Sequence, residues 1–322
     1  SNTIKGMKTR NQTIDILRTI GLLLVIAAHA SFNEQFFSFR EFDVVLLVFC
    51  SGASFVLANK NEKYIDYVVK RFKKLIIPIW VFLICFFPVH YLLGAPISFN
   101  YIFKTFLFTS GGLLFVWIFR VIFITSLCNP FIKKMTEKIP HILLITLVII
   151  LLNDGLLYLV RNYMSSSIVT IYEYIVAYTI SYGVISLYGM KAFFLENKKK
   201  LLMACISLLI FIMLHKMNPS ITLYDAKYPP TLYYISYGIF WSMLLSYVFN
   251  YVHLNEKVYG IIKWISVNSM TIYMWHIVFF YLMSDSVIKG IHSGMMMYLY
   301  LLIPSIVCTA LSEKVIKIWR KK

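Results

Sequence analysis

Arg18 and His29 stand eleven residues apart in one apolar stretch that begins at Ile14. At about 100° per residue, that spacing returns to nearly the same helical face, about 16 Å further along the axis. A guanidinium can hold an anion, and an imidazole can take and return a proton near neutral pH. Both are costly inside an apolar helix. Ionisable groups in a membrane span are a functional hypothesis by default.

The elements that must position these groups are membrane helices. The chain has 322 residues, 60% of them hydrophobic and 14% charged, with mean hydropathy +0.75. A soluble domain would carry roughly 25% charge. The expected fold class is all-α, a single polytopic helical bundle spanning the membrane. Spans of ~20 apolar residues are expected at 14–32, 43–59, 75–93, 112–130, 141–160, 168–190, 201–215, 231–252, 264–284 and 294–312. Tyr101 to Phe108 is a candidate interfacial or re-entrant piece. No cleavable signal is expected, because the start is polar and no small-residue cleavage site follows the first apolar run. Met7 is a candidate natural start behind Ser1 and Asn2. Residues 1–12 and the basic tail 313–322 are expected outside the bilayer, with no appended soluble domain.

The net charge of +17 does not point to nucleic acid, because the basic residues fill the gaps between apolar segments. Of 31 Lys and Arg, 23 fall in one set of alternate loops. Six fall in the other set, Arg40, Lys104, Arg161, Lys216, Lys227 and Lys289, while Arg18 and Arg120 lie within spans. That asymmetry puts both termini in the cytoplasm. Cys50, Cys85, Cys128, Cys205 and Cys308 are widely spaced and have no CxxC pattern. They read as small buried hydrophobes, with no disulfide framework or metal site expected.

With orientation assigned, a rise of ~1.5 Å per residue gives each polar group a depth. Arg18 lies in the inner half with Asp15, three residues before it, as a local ion-pair partner. His29, His276, Asp154, Arg120 and Glu173 come from five spans and fall in one layer of the outer half. Each costs roughly 2.5–3.5 kcal/mol at a helix centre, so a shared polar cavity is expected. Ser51, Trp117 and Tyr273 are candidate lining residues. Lys70-Arg71-Phe72-Lys73-Lys74 forms the densest basic cluster, at the inner edge of the third span. It reads either as positive-inside anchoring or as a phosphate cradle built from Arg71, Lys73 and Lys74. There is no GxGxxG and no GxxxxGK[ST], so nucleotide binding of the Rossmann or P-loop kind is not expected.

Four segments in order resemble the membrane acyltransferase-3 family. Arg18 and His29 match its R/K-X10-H signature. Phe49-Cys50-Ser51-Gly52-Ala53-Ser54-Phe55 is similar to its second-span segment, with Cys50 in place of leucine. Arg71-Phe72-Lys73-Lys74-Leu75-Ile76-Ile77-Pro78 is similar to the start of its third span, with Lys74 where the family carries arginine. Ile265 to His276 resembles its late ISYSLYLWH segment.

The resemblance implies an enzyme of the bacterial cytoplasmic membrane. It would transfer an acyl group, most often acetyl, from cytoplasmic acetyl-CoA or another acyl-CoA to a hydroxyl of a cell-surface glycan or exopolysaccharide. On that reading Arg71, Lys73 and Lys74 hold the nucleotide and the pantetheine arm passes Arg18. His29 serves as general base, with a covalent acyl-histidine as the less favoured route. Arg120 stabilises the oxyanion, and Glu173 or Asp154 orients the imidazole, with His276 in support. Tyr224 and the stretch Lys227 to Tyr234 suit sugar contact. The partners are acyl-CoA, the glycan acceptor and membrane lipids, with no metal. The competing reading is a transporter or exporter of a small anion or glycan, whose charges would line a pathway. A lipid-binding scaffold is weaker still, because it has no use for buried histidines.

Overall fold

The computed structural model describes residues 10–58, 62–92, 94, 97–109, 111–282 and 293–319. Ser1, Asn2, Met7, Lys5, Lys8, Lys60, Lys289, Arg320, Lys321 and Lys322 lie outside the described residues, as do the expected span ends at 59, 93 and 283–284. The described residues form an all-helical bundle: α1 Gln12–Ala27, α2 Glu34–Phe39, α3 Asp43–Ala58, α4 Tyr64–Arg71, α5 Ile77–Leu92, α6 Phe99–Phe106, α7 Trp117–Lys138 and α8 Ile142–Tyr163. It continues with α9 Ser166–Ile171, α10 Tyr178–Lys191, α11 Asn197–Met217, α12 Leu232–Phe249, α13 Glu256–Val267, α14 Ser269–Leu282 and α15 Gly294–Trp319. One isolated bridge, between Lys227 and Pro230, is the only extended pairing among them.

Seven helical stretches are long and apolar enough to cross a membrane, or eight if the bent pair α13–α14 is one span. The expected ten is therefore not reached on length and composition. The first expected span becomes α1, only 16 residues long. The fourth becomes α7, whose Arg120, Asn129, Lys133 and Lys134 dilute its apolar character. The ninth is broken: α13 and α14 meet at Asn268 with a bend of 69°. Tyr101 to Phe108 falls largely on the short separate helix α6, capped by the Ser98 hydroxyl accepting from Tyr101 N at 3.1 Å.

Local chemistry accounts for several helix ends. The Asn11, Asn33 and Asn255 side chains accept from the backbone N–H three residues on, satisfying donors that the first helical turn leaves open. Pro130 sits inside α7 and has no N–H to give the Ser126 carbonyl four residues back. The Tyr67 hydroxyl donates to that carbonyl instead, at 2.7 Å. The helix tolerates the proline because α4 supplies the missing donor.

Helix α3 runs through the core and packs on α1, α7, α10 and α12. Its Val45, Leu46, Phe49 and Ala53 have no exposed surface. Leu144, Val148, Leu152, Leu159 and Leu209 on α8 and α11 face outward, as lipid contact requires. Cys85 and Cys205 join that outward surface, so of the five free cysteines Cys50 is the buried one.

Close backbone approach holds α3 to α10. A Cβ on Gly189 would sit 2.0 Å from the Phe49 carbonyl oxygen, and one on Gly52 would sit 2.1 Å from that of Ser186. Such contact between small residues is a main source of helix association in lipid. Gly189→Ala and Gly52→Ala must each push the two backbones apart, at a cost of at least ~1–3 kcal/mol. Each is expected to lower the thermal midpoint of the detergent-solubilised protein. Gly155→Ala, with nothing within 4 Å of the added carbon, is expected to leave it unchanged.

Candidate active site

Two cavities lie end to end in the bundle. The first, of about 780 Å³, is lined by Arg10, Asp15, Arg18, Ser51, Ser54, Arg71, Lys74 and Ser266, among others. The second, of about 470 Å³, is lined by His29, Arg40, Glu41, Asp43, Trp117, Arg120, Tyr174, Tyr178, Tyr224, Lys227 and Tyr228, among others. Ile118 and Tyr273 line both and form the partition between them. Arg18 and His29 thus belong to different chambers.

His29 is not on α1. The helix ends at Ala27 with Ala28 as its C-cap, and the His29 N–H turns back to the Ile26 carbonyl at 3.1 Å. The expected common helical face is therefore lost at its far end. The turn instead brings the His29 ring 5.0 Å from the ring of His276 on α14, with Nδ1 of His29 3.1 Å from Nε2 of His276. Nδ1 of His276 is in turn hydrogen-bonded to the Tyr273 backbone carbonyl.

That chain sets the tautomers. A carbonyl oxygen only accepts, so Nδ1 of His276 carries a proton and donates it. With His276 neutral, its Nε2 accepts and Nδ1 of His29 is the donor. Nε2 of His29 is left as the basic nitrogen. The imidazole therefore takes its orientation from a second histidine that is fully buried. Phe115 stands edge-on to His29 at 4.3 Å, and the Tyr273 hydroxyl holds the Phe115 carbonyl at 2.9 Å.

The two carboxylates expected to orient His29 are elsewhere. Glu173 is bound by Arg161 at 2.7 Å, and the same guanidinium donates to the Tyr228 carbonyl. Asp154 accepts from the Leu232 N–H at 2.8 Å, at the start of α12. Neither lines the His29 cavity. Depth along a helix was not enough to place them, because each side chain also has an azimuth. Of the five groups expected in one layer, His29, His276 and Arg120 gather here.

The cluster that does line this cavity is Arg40, Glu41, Asp43 and Lys227. Arg40 contacts Glu41 at 2.9 Å and Asp43 at 2.5 Å; Lys227 contacts Glu41 at 2.8 Å and Asp43 at 3.4 Å. All four are buried. Burial opposes the Lys227 charge, but Asp43 and Glu41 outweigh it and hold the ammonium above the ordinary lysine range. Arg40 and Lys227 had the look of loop cations. The overlooked signal was three charges within Arg40-Glu41-Phe42-Asp43, abutting an apolar run with no polar spacer.

In the first cavity Arg18 donates to the Ser54 hydroxyl at 2.6 Å and the Ser266 hydroxyl at 3.4 Å. The expected pairing of Arg18 with Asp15 is not formed. Arg10 takes both Asp15 oxygens at 2.6 Å, and Ser266 and Tyr259 donate to the same carboxylate. Ser266 thereby links Arg18 to Asp15 without an ion pair. Arg71 and Lys74 line this cavity, three residues apart on one helical face. Lys73 does not line it and faces a neighbouring groove with Asp66, Val69, Lys70 and Lys74, so that Lys74 borders both. Residues i and i+2 do not share a helical face, so the expected three-residue cradle reduces to two.

A π-helical turn covers Phe72–Ile76 and another covers Tyr172–Ala177. Wide turns of this kind often mark functional sites. The first follows Arg71 and carries Lys74 and Leu75 of the first cavity; the second carries Tyr174 of the other. Among the described residues no three His, Cys, Asp or Glu side chains converge as metal ligands.

Fold and site define a multi-pass helical membrane protein with two abutting polar chambers and a histidine pair at the inner wall of one. A family model described as an acyltransferase domain, that of the acyltransferase-3 family, matches residues 11–313. The chain belongs to that family and is a membrane acyltransferase. No curated protein and no solved structure gives a significant match.

Removing one member of a buried charge cluster leaves its partners uncompensated, at ~3–5 kcal/mol. Lys227→Met is expected to lower the thermal midpoint more than Lys216→Met, a change at an exposed position. Adding Glu41→Gln to Lys227→Met is expected to recover part of the loss. Thermal unfolding of the three variants checks both outcomes.

Proposed function

We propose that this protein moves an acyl group, most simply acetyl, from acyl-CoA to a hydroxyl of a cell-surface glycan or exopolysaccharide. The observation that carries the reading is the hydrogen-bonded series Tyr273 carbonyl, His276, His29, in a chamber that shares Ile118 and Tyr273 with a second, cation-lined one. The Arg18 chamber faces the cytoplasm and the His29 chamber the outer side of a bacterial plasma membrane, with both termini inside. The loop distribution of lysine and arginine supports that orientation.

The cations of the first chamber fit a phosphate-bearing donor. Arg18 spends its two hydrogen bonds on hydroxyls, not carboxylates. Arg71 lies over the Tyr67 ring, 5.1 Å from its centroid, which supports the guanidinium. Lys74 adds a point charge. Arg71 and Lys74 would hold the nucleotide phosphates, and Arg18 would stand beside the pantetheine arm. The donor supplies a thioester-activated acyl carbon.

His29 does the proton work. Nε2 takes the proton of the acceptor hydroxyl as its oxygen attacks the acyl carbon. The C–S bond breaks, and the sulfur leaves with the proton that His29 returns. Through both steps the His29 Nδ1–H remains on His276, which disperses the charge and fixes the ring. His276 is a positioning residue, because it lies behind His29 and away from the cavity.

A positioned general base contributes roughly 10²–10⁴-fold. His29→Ala is expected to cost at least that in acetyl transfer from labelled acetyl-CoA and to leave CoA affinity within about twofold. His276→Ala is expected to lower kcat with little change in donor KM and to move the pH profile of kcat. Mass spectrometry of surface glycan with and without the protein identifies acyl group and acceptor together. No acyl ester on the glycan, with no CoA binding by the purified protein, overturns the reading.

A further inference from the structure

Pairing divides the charges of the His29 cavity into a closed set and a remainder. Arg40 and Lys227 are matched by Glu41 and Asp43. Arg120 on α7 is the remainder. Its guanidinium lies 4.2 Å from the Tyr174 ring centroid and 5.2 Å from that of Tyr178. Among the described residues it makes no ion pair and donates no side-chain hydrogen bond.

This arrangement is specific in what it leaves open. A guanidinium carbon this close to tyrosine rings is attracted to them, by roughly 0.5–2 kcal/mol. Its five N–H donors, fixed in one plane, meet no side-chain acceptor among the described residues. In a chamber partly shielded from water, unused donors on a fixed cation favour an anion strongly. Trp117 is three residues earlier on the same helical face and lines the same cavity. Tyr228 stands edge-on to it at 5.2 Å, with Tyr224 a further 5.4 Å beyond. Aromatic faces beside a guanidinium fork match a sugar ring that carries a carboxylate or phosphate.

We propose that Arg120 is the anion-recognition residue of the acceptor site, and that the acceptor is an anionic glycan unit, a uronic acid or a sugar phosphate. This rests on the acyl-transfer reading, in which the acceptor occupies the His29 chamber. It assigns Arg120 to the acceptor's charge in place of the developing oxyanion.

The test uses the full chain in nanodiscs with CoA present, and titrates methyl β-glucuronide, glucose 6-phosphate and neutral methyl β-glucoside. A charge-assisted hydrogen bond is worth about 10–150-fold in affinity. At least one anionic ligand is expected to bind about tenfold or more tightly than the glucoside. Arg120→Gln is expected to erase that preference and leave glucoside binding and the thermal midpoint unchanged. Arg120→Lys is expected to restore part of it, and His29→Ala to keep it whole. Equal affinities for the three ligands, or a preference that survives Arg120→Gln, overturn the proposal. So does a preference that follows the donor, with succinyl-CoA favoured over acetyl-CoA through Arg120 and the acceptors used alike. Acetyl transfer is measured on the same preparations. Its absence with the anion preference intact overturns the chemistry assigned to His29 and not the role of Arg120.

Discussion

A charge inside an apolar bundle must find its partner within the protein, because the surroundings offer no water to replace it. Most ionisable groups here obey that constraint by pairing. Arg40 and Lys227 take Glu41 and Asp43, Arg10 takes Asp15, and Arg161 takes Glu173. These pairs hold α2 and α3 to the segment before α12, the N-terminal segment to α1, and α8 to the turn before α10. They also sort the polar groups by elimination. Three cations with no carboxylate partner among the described residues face the two chambers: Arg18 on its hydroxyls, Arg71 over Tyr67, and Arg120 over its tyrosines.

The chambers exist because helices stop inside the bundle. Helix α1 ends at Ala27, and the α13–α14 bend falls at Asn268. Non-helical backbone at such depth is tolerated where it lines a cavity or is buried in protein. The first interruption turns His29 out of the α1 helix. The second re-aims α14 so that Tyr273 and His276 approach that turn. Tyr273 then serves three structures: its carbonyl holds His276, its hydroxyl holds the Phe115 carbonyl, and its ring stands in the partition. One residue, through its backbone and its side chain, therefore joins the orientation of the histidine pair to the boundary between the chambers.

The sequence reading and the structure part company at particular residues, for one recurring reason. Hydropathy and spacing report which residues are costly and roughly how deep they lie. They do not report which of two neighbours meets them. Asp15 looked like the partner of Arg18 at a spacing of three, yet Arg10 grips it with two hydrogen bonds. Glu173 and Asp154 had the right depth for His29, yet one is held by Arg161 and the other by a backbone N–H. Lys73 shared a cluster with Arg71 and Lys74, yet its position on the turn sends it to another groove. Arg40 and Lys227 were counted with the loops, although both are buried and paired with Glu41 and Asp43.

By itself the sequence determined the membrane class, the all-helical fold, the family signature at Arg18 and His29, and the candidacy of Arg120 and His276. Those follow from composition and from spacing along one chain, which are local quantities. Only the tertiary structure decided that Arg18 and His29 belong to separate chambers, that His276 sets the protonated face of His29, and that Arg120 is the cation left over. Each of those depends on groups brought together from distant segments, His29 with His276 and Lys227 with Glu41. A low-dielectric interior makes such pairings decisive, because every charge that finds a partner is withdrawn from chemistry.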